Sequence, residues 1–133
     1  MYKEYFFKTD QLVIWRPSGI LDSEKIYEFI SFLNKSSEER DPHFDRFIDL
    51  SQSSGISVKY KDLQPVANQR NLYFRTSLNQ KVKLAFLVKN PISYGMARMY
   101  QTLSDDAYVE VNIYNTIEEC SKFLEVKNTV LSD

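Results

Sequence analysis

The clearest structural signal in the chain is KLAFLVKNPISYGMARMYQTL, residues 83–103. It opens within an apolar run from Val82 to Val88, broken only by Lys83, which is typical of a strand covered on both faces of a sheet. Asn90 is a favourable helix N-cap, and Pro91 suits the first helical position. The apolar residues that follow recur at helical spacing and predict one buried helix face: Ile92, Met96, Met99, Tyr100 and Leu103.

The segment before this unit predicts a hairpin and a helix. Tyr5–Phe7 and Leu12–Trp15 are short runs rich in aromatic and β-branched residues, so we expect two antiparallel strands. Asp22 or Ser23 then caps a helix. The apolar face of that helix is predicted from residues at helical spacing: Ile26, Phe29, Ile30 and Leu33. The polar stretch Lys35–Asp45 is expected to form a surface loop.

The middle of the chain predicts a strand, a loop and a second helix. Phe47–Leu50 is a short buried strand, and the serine-rich stretch Ser51–Gly55 is expected to be the loop after it. A helix is predicted from about Tyr60 to Arg75, with a start or a bend near Pro65 because proline fits only the first helical turn.

The C-terminal segment predicts one more strand and helix. Val109–Tyr114 alternates apolar and polar residues, as a strand does. Thr116 and Glu119 form a capping box. The following apolar residues make the last buried stripe: Ile117, Cys120, Phe123 and Leu124. We expect the chain to fray after Val126.

The order of elements is therefore β-β-α-β-α-β-α-β-α. Strands that alternate with helices predict parallel pairing through right-handed crossovers. The N-terminal hairpin adds one antiparallel strand, so the sheet is mixed and mostly parallel. The predicted organisation is one α/β domain over residues 1–126, followed by a frayed tail at residues 127–133.

Charge is distributed unevenly along the chain. From Leu63 to Ser104 there is no Asp or Glu, whereas both ends are acidic. This asymmetry favours an anionic partner. The bases near the second helix-to-strand connection form a candidate basic patch: Arg70, Arg75, Lys81, Lys83 and Lys89. They are either a surface for anionic head groups or a solvated face, and the sequence leaves both open.

Composition argues against several classes of function. A pI near 5.9 is far below that of domains that track nucleic-acid backbones. No apolar segment is long enough to span a bilayer, and a single cysteine fits a reducing compartment, so a cytoplasmic protein is expected. Asp41, His43 and Asp45 are too few and too loosely placed for a metal site. We find no catalytic motif and expect no enzyme activity, metal or cofactor.

Four stretches together resemble the SpoIIAA-like proteins of the STAS-related superfamily. They are GILD (19–22), DRFIDLS (45–51), AFLVKNPISYGMARMY (85–100) and VEVNIYNTIEECSKFL (109–124). The resemblance implies a single domain of the SpoIIAA-like fold that works by binding. In anti-sigma-factor antagonists of that superfamily, a serine after the central strand is phosphorylated. Here Val58 stands at the matching position, and Ser53-Ser54-Gly55 comes earlier in the chain.

Two functions follow from the resemblance and the charge pattern. The first is binding of a small apolar or anionic amphiphile or lipid, with peripheral membrane association. The alternative is a regulatory protein-interaction module of the anti-sigma-antagonist type. Exposed aromatics on the N-terminal hairpin also allow a homodimer. The candidate ligand-binding residues are Ser51, Ser53, Ser54, Arg70, Asn90, Tyr94 and Arg98.

Overall fold

The computed structural model describes residues 4–39, 43–59, 61–65, 82–104 and 109–132. The strands within these ranges are β1 (Tyr5–Thr9), β2 (Leu12–Trp15), β3 (Gly19–Asp22), β4 (Asp45–Asp49), β5 (Ser53–Ser57), β6 (Val82–Leu87) and β7 (Val109–Tyr114). The helices are α1 (Ser23–Glu39), α2 (Pro91–Ser104), α3 (Ile117–Leu124) and α4 (Asn128–Ser132). Residues 61–65 are also helical.

Five of the strands form one mixed sheet in the order β1-β2-β4-β6-β7. β1 and β2 are antiparallel, and the pairs β2–β4, β4–β6 and β6–β7 are parallel. The predicted α/β class, the mostly parallel sheet and the N-terminal hairpin are therefore confirmed. Because β6 has a parallel neighbour on each side, its apolar run is buried as the sequence predicts.

Helices cover both faces of this sheet. Packed against one face is a large core that includes Trp15 of β2, Phe29 of α1 and Met96 of α2. On the other face lies a smaller core with Phe47 of β4, and with Cys120 of α3 among its buried members. Each strand therefore supplies alternate side chains to two separate apolar layers. Among the helices that the structure describes, none is long and apolar enough to cross a membrane.

The predicted helix caps are present. The Asn90 side-chain oxygen accepts a hydrogen bond from the Ser93 N–H at 2.8 Å. Thr116 Oγ1 accepts one from the Glu119 N–H at 3.1 Å, and its hydroxyl donates to the Glu119 carboxylate at 2.9 Å. These residues satisfy helix-end N–H groups within three residues of themselves, which is why the sequence could reveal them.

The buried face of α2 differs from the prediction at its start. Ile92 is 66% exposed, while Ser93 and Ala97 are buried beside Met96. Small residues let a helix approach the sheet closely, so packing selects the face with Ser93 and Ala97 rather than the most apolar one. Met99 and Tyr100 pack at the edge of the core, as expected.

Three further segments differ from the sequence predictions. Residues from Lys35 to Glu39 continue α1 and do not form the predicted loop. Ser53 to Gly55 lie in β5, which pairs with β3 in a separate two-stranded parallel sheet. The predicted helix Tyr60–Arg75 lies mostly outside the described residues. Where it is described, at residues 61–65, the chain is helical.

The tail after Val126 also differs from the expected frayed end. Residues Asn128–Ser132 form α4, whose Leu131 is completely buried in the smaller core. The turn before it is closed by Glu125, which has a left-handed backbone (φ 59°). Ser121 Oγ, in α3, also hydrogen-bonds the Asn128 side chain. The C-terminal helix is therefore part of the packed domain.

Candidate ligand-binding cleft

Polar and apolar side chains meet where the parallel strands of the main sheet end. Asp49 of β4 pairs in register with Leu87 of β6, which pairs with Tyr114 of β7. Arg16 comes directly after β2, whose Trp15 pairs with Ile48. Because side chains alternate along strands, this row belongs to the face covered by α3 and α4. The carboxyl ends of parallel strands are where open α/β sheets usually bind ligands.

A buried ion pair lies at one end of this row. Arg16 Nε is 3.4 Å from Asp49 Oδ2, and the two residues are only 8% and 5% exposed. The Arg16 guanidinium also donates to the carbonyl of Leu131 in α4. Asp49 Oδ1 accepts the Ser51 N–H at 2.9 Å. Both buried charges are thus paired and hydrogen-bonded, as burial requires.

A cleft of about 390 Å³ opens beside this ion pair. Its volume is within the range of about 300–1,000 Å³ that is usual for small-molecule sites. The strands and the loops after them contribute Arg16, Asp49, Ser51, Gln52, Leu87 and Lys89 to the lining. The start of α3 and the end of α4 contribute Thr116, Ile117, Leu131 and Ser132.

Lys89 supplies an exposed positive charge in this lining. Its Nζ donates to the Asn115 carbonyl at 2.6 Å, which holds the side chain over the start of α3. That acceptor is neutral, so the ammonium charge is left for an anion. The hydroxyls of Ser51, Thr116 and Ser132 add polar groups to the same lining. The cleft can therefore contact an anionic group on one side and an apolar group, through its leucine and isoleucine side chains, on the other.

Some of the predicted ligand residues belong to this cleft and others do not. Ser51 lines it. Ser53 and Ser54 lie in β5, where the Ser53 hydroxyl donates to the Pro17 carbonyl at 3.3 Å. The side-chain oxygen of Asn90 accepts the Ser93 N–H and so caps α2.

The predicted ligand-binding residues on α2, Tyr94 and Arg98, do not line this cleft. Tyr94 is 51% exposed and lines a neighbouring cleft of about 250 Å³ together with Tyr114 and Glu119. The exposed Arg98 hydrogen-bonds Gln101 on its own helix. Arg70 is outside the described residues.

The candidate basic patch can be placed only in part, because Arg70, Arg75 and Lys81 are outside the described residues. The two lysines that the structure does describe are far apart. Lys83 is near the start of β6 and Lys89 follows its end, about 20 Å away at strand spacing. Lys83 donates to the Phe123 carbonyl at 3.0 Å and lies 3.6 Å from Glu125. Lys89 therefore hydrogen-bonds the chain just before α3, and Lys83 hydrogen-bonds the end of the same helix.

Sequence reasoning missed Arg16, Asp49 and Leu131. The sequence does contain a signal for both charged residues, because each accompanies a short apolar run. Arg16 directly follows Leu12–Trp15, and Asp49 lies within Phe47–Leu50. Charged residues are rarely buried unless they are paired, so each indicates a partner. The sequence could not say that they pair with each other, or that Leu131 joins them.

A second, apolar cavity lies on the other face of the sheet, between the strands and helices α1 and α2. Its volume is about 50 Å³, and Trp15, Phe29 and Met96 are among its lining residues. This volume is well below the about 300–1,000 Å³ that is usual for small-molecule sites, so the cleft beside the ion pair is the stronger candidate.

The remaining residues considered for chemical roles, Cys120, His43 and Asp45, do not line the cleft. Cys120 is fully buried, as predicted, and burial raises the pKa of its thiol to about 12. Asp41 is outside the described residues. In the ranges that are described, no three His, Cys, Asp or Glu side chains group as a metal site would require.

Comparison with known proteins adds no functional information. No protein-family model matches the chain, and no curated protein matches it. The resemblance to SpoIIAA-like proteins therefore stays a prediction from the sequence, as does the expected cytoplasmic location.

Proposed function

We propose that this protein is a non-enzymatic SpoIIAA-like domain that binds a small anionic amphiphile in the cleft at the carboxyl ends of β2, β4 and β6. The observation that carries the proposal is the convergence of Lys89 and three hydroxyl groups with an apolar wall in one cleft of about 390 Å³. Elements from four parts of the chain fold together to build this arrangement.

The charges of the cleft favour an anion. Asp49 is compensated by Arg16 at 3.4 Å, whereas the hydrogen-bond acceptor of Lys89 among the described residues is a neutral carbonyl. A bound oxyanion would give Lys89 a charged partner and could accept a hydrogen bond from the Ser51 hydroxyl. The hydroxyls of Thr116 and Ser132 already donate to the Glu119 carboxylate and the Asn128 carbonyl. Hydrogen bonds with one charged partner contribute about 1.5–3 kcal/mol each.

The apolar wall favours a ligand with a hydrophobic group. Leu87, Ile117 and Leu131 line the same cleft as Lys89. Covering them with an alkyl group would remove apolar surface from water, which contributes about 25 cal/mol per Å². This combination supports an amphiphile over a purely polar ion.

Two lysines allow a matched test. Lys89→Met removes the charge at the cleft, and Lys83→Met removes a lysine from the other end of β6. With hexanoate and hexyl phosphate as probes in calorimetric titrations, Lys89→Met should weaken binding about 5- to 30-fold, equivalent to about 1–2 kcal/mol. Lys83→Met should bind like the unmodified protein. Equal binding by all three proteins, or no binding of either probe, would refute the proposal.

Peripheral membrane association forms a second arm of the same test. If the anionic amphiphile is a lipid, vesicles containing phosphatidylglycerol should retain the protein at low salt and lose it with Lys89→Met. Binding of the soluble probes without vesicle binding would identify a free metabolite as the ligand.

The alternative function, a regulatory protein-interaction module, is favoured by one observation. Ile92 and Tyr94 are 66% and 51% exposed on the first turn of α2, which is where a partner could contact them. If this is the function, Ile92→Ser together with Tyr94→Ser should abolish binding to an identified partner, while Lys89→Met should not.

A further inference from the structure

We propose that the neighbouring cleft of about 250 Å³, lined by Tyr94 and Tyr114, is a subsite for an aromatic ring of the same ligand that contacts Lys89. The ligand is then an arylalkyl oxyanion, with its anionic group and spacer in the main cleft and its ring in this second one, the tyrosine cleft. This inference rests on the proposed function and specifies the chemical class of the ligand.

The two clefts share one wall of hydrogen-bonded residues. Lys89 lines the main cleft, and its Nζ donates at 2.6 Å to the carbonyl of Asn115, which lines the tyrosine cleft. Thr116 lines the main cleft, and its hydroxyl donates at 2.9 Å to the carboxylate of Glu119, which lines the tyrosine cleft. An anion bound to Lys89 is therefore next to the tyrosine cleft, and a short spacer can carry an attached group into it.

The lining of the tyrosine cleft suits a flat ring. Val88 and Ile113 contribute aliphatic surface, and Tyr94 and Tyr114 contribute aromatic side chains. Aromatic rings attract one another in offset-stacked or edge-to-face arrangements, which contribute about 0.5–1.5 kcal/mol beyond the burial of area. Tyr114 is supported from within the protein by Phe123, with ring centroids 5.8 Å apart. A ligand ring would extend this row of aromatic contacts.

The backbones that carry the two tyrosines are fixed independently of any ligand. The Tyr94 N–H donates to the Asn90 carbonyl at 3.0 Å in the first turn of α2. The Tyr114 carbonyl, at the end of β7, accepts the Val88 N–H at 2.9 Å. Tyr94 is nevertheless 51% exposed, so a ligand ring in the cleft could cover apolar surface that is now in water.

The distribution of charge orients the ligand. Lys89 provides a cation in the main cleft, whereas Glu119 provides a carboxylate in the tyrosine cleft. Burial raises the pKa of the Tyr114 hydroxyl, and nearby acidic groups, Glu119 among them, raise it further. The surroundings of Tyr114 therefore disfavour a second negative charge. We expect the anionic group at Lys89 and the uncharged ring beside Tyr114.

Two probes that differ only in the ring provide the test. 3-Phenylpropionate and 3-cyclohexylpropionate have the same carboxylate and spacer, but only the first has an aromatic face. Tyr94→Leu removes the aromatic partner and keeps apolar bulk. In calorimetric titrations, the ratio of the affinity for the phenyl probe to that for the cyclohexyl probe should fall about 2- to 12-fold in Tyr94→Leu, equivalent to about 0.5–1.5 kcal/mol. The ratio cancels the different hydrophobicity of the two rings.

Two controls separate the ring from the rest of the site. Tyr27 is 48% exposed on α1 and lines neither cleft, so Tyr27→Leu should leave the ratio unchanged. Hexanoate has no ring, so its affinity should change less than about twofold in Tyr94→Leu. Lys89→Met should weaken binding of both ring probes by the same factor, because both present one carboxylate to Lys89.

The outcomes separate the inference from the proposed function. If the ratio is unchanged in Tyr94→Leu while Lys89→Met weakens binding, the inference is wrong and the anion site is retained. If the ratio falls in Tyr94→Leu while Lys89→Met binds both probes normally, the ring binds without Lys89, and the assignment of both clefts to one ligand is overturned. No binding of hexanoate, hexyl phosphate or either ring probe would overturn both proposals.

Discussion

Removing one member of the Arg16–Asp49 ion pair should destabilise the protein more than removing both. Arg16→Met leaves the Asp49 carboxylate buried without its cation, and Asp49→Leu leaves the guanidinium without its anion. Both residues are less than a tenth exposed, so water in the cleft can replace the missing partner only in part. Loss of one partner of a buried pair typically costs about 3–5 kcal/mol.

The double variant Arg16→Met/Asp49→Leu should recover most of that loss. Replacing a buried pair with apolar residues is often neutral or stabilising because no charge is left desolvated. Here the guanidinium hydrogen bond to Leu131 also disappears, which costs about 1.5–3 kcal/mol because one partner is charged. We therefore expect the double variant to lie within about 3 kcal/mol of the unmodified protein.

Urea unfolding followed by tryptophan fluorescence would measure these differences. Trp15 is the sole tryptophan, is 4% exposed and stacks on Phe29 with ring centroids 4.3 Å apart. Its emission should change strongly when the sheet separates from α1. The comparison should use variants with equal m-values, since a changed m-value would indicate an altered unfolded or native state.

A surface pair provides the matched control. Lys83 and Glu125 are 3.6 Å apart, but the Glu125 side chain is 81% exposed. Removing the Glu125 carboxylate should change stability by less than about 1 kcal/mol. If the single variants of Arg16 and Asp49 lower the free energy of unfolding as little as this control does, the prediction is wrong. It is also wrong if the decrease in the double variant equals the sum of the decreases in the two single variants.

Three other predictions concern the C-terminal helix, the cysteine and two glycines. Leu131→Ala should cost about 2–5 kcal/mol in urea unfolding because Leu131 is fully buried, whereas exposed Thr129→Ala should cost under about 0.5 kcal/mol. Equal effects would mean that α4 does not pack on the core. Because burial raises the pKa of Cys120 from 9.0 to about 12, the unfolded chain loses the thiol proton first, so stability falls as pH rises above 9. Between pH 8 and 10 the unmodified protein should lose about 1.4 kcal/mol more than Cys120→Ala, and parallel curves would contradict the burial of the thiol. Gly95→Ala should raise the melting temperature, since Gly95 lies inside α2 and a methyl group there meets no atom within 4 Å. Gly19→Ala should lower it, because Gly19 has φ +72° and alanine is strained there by about 1 kcal/mol.

Much of the fold could be predicted because its signals are local. The hairpin, β6 and β7 appear as short apolar or alternating runs bounded by turn residues. Asn90 and Thr116 cap their helices through hydrogen bonds that reach three residues along the chain. The strands β3 and β5 were missed because GILD and SSGIS each lack a strong pattern, and each is stabilised by the other across a parallel ladder.

The candidate site could be predicted only in fragments. Ser51 was recognised because it follows a buried strand, where α/β sheets bind ligands. Lys89 was recognised because it is one of the bases in the acid-free stretch of the sequence. The search for basic residues along the sequence grouped Lys89 with Lys83, although the two lie at opposite ends of one strand. Neighbours in sequence separate by about 3.3 Å per residue along a strand, so closeness in sequence does not produce a patch.

The sequence by itself determined the alternation of strands and helices, the antiparallel hairpin and the helix caps. These features depend on backbone hydrogen bonds and side-chain periodicity within a few residues. Only the tertiary structure decided that Arg16, Asp49 and Leu131 meet, since Arg16 and Leu131 are 115 positions apart. Their pairing depends on which strands become neighbours and on where α4 packs. The cleft is a consequence of that long-range packing, and so is the charge it presents to a ligand.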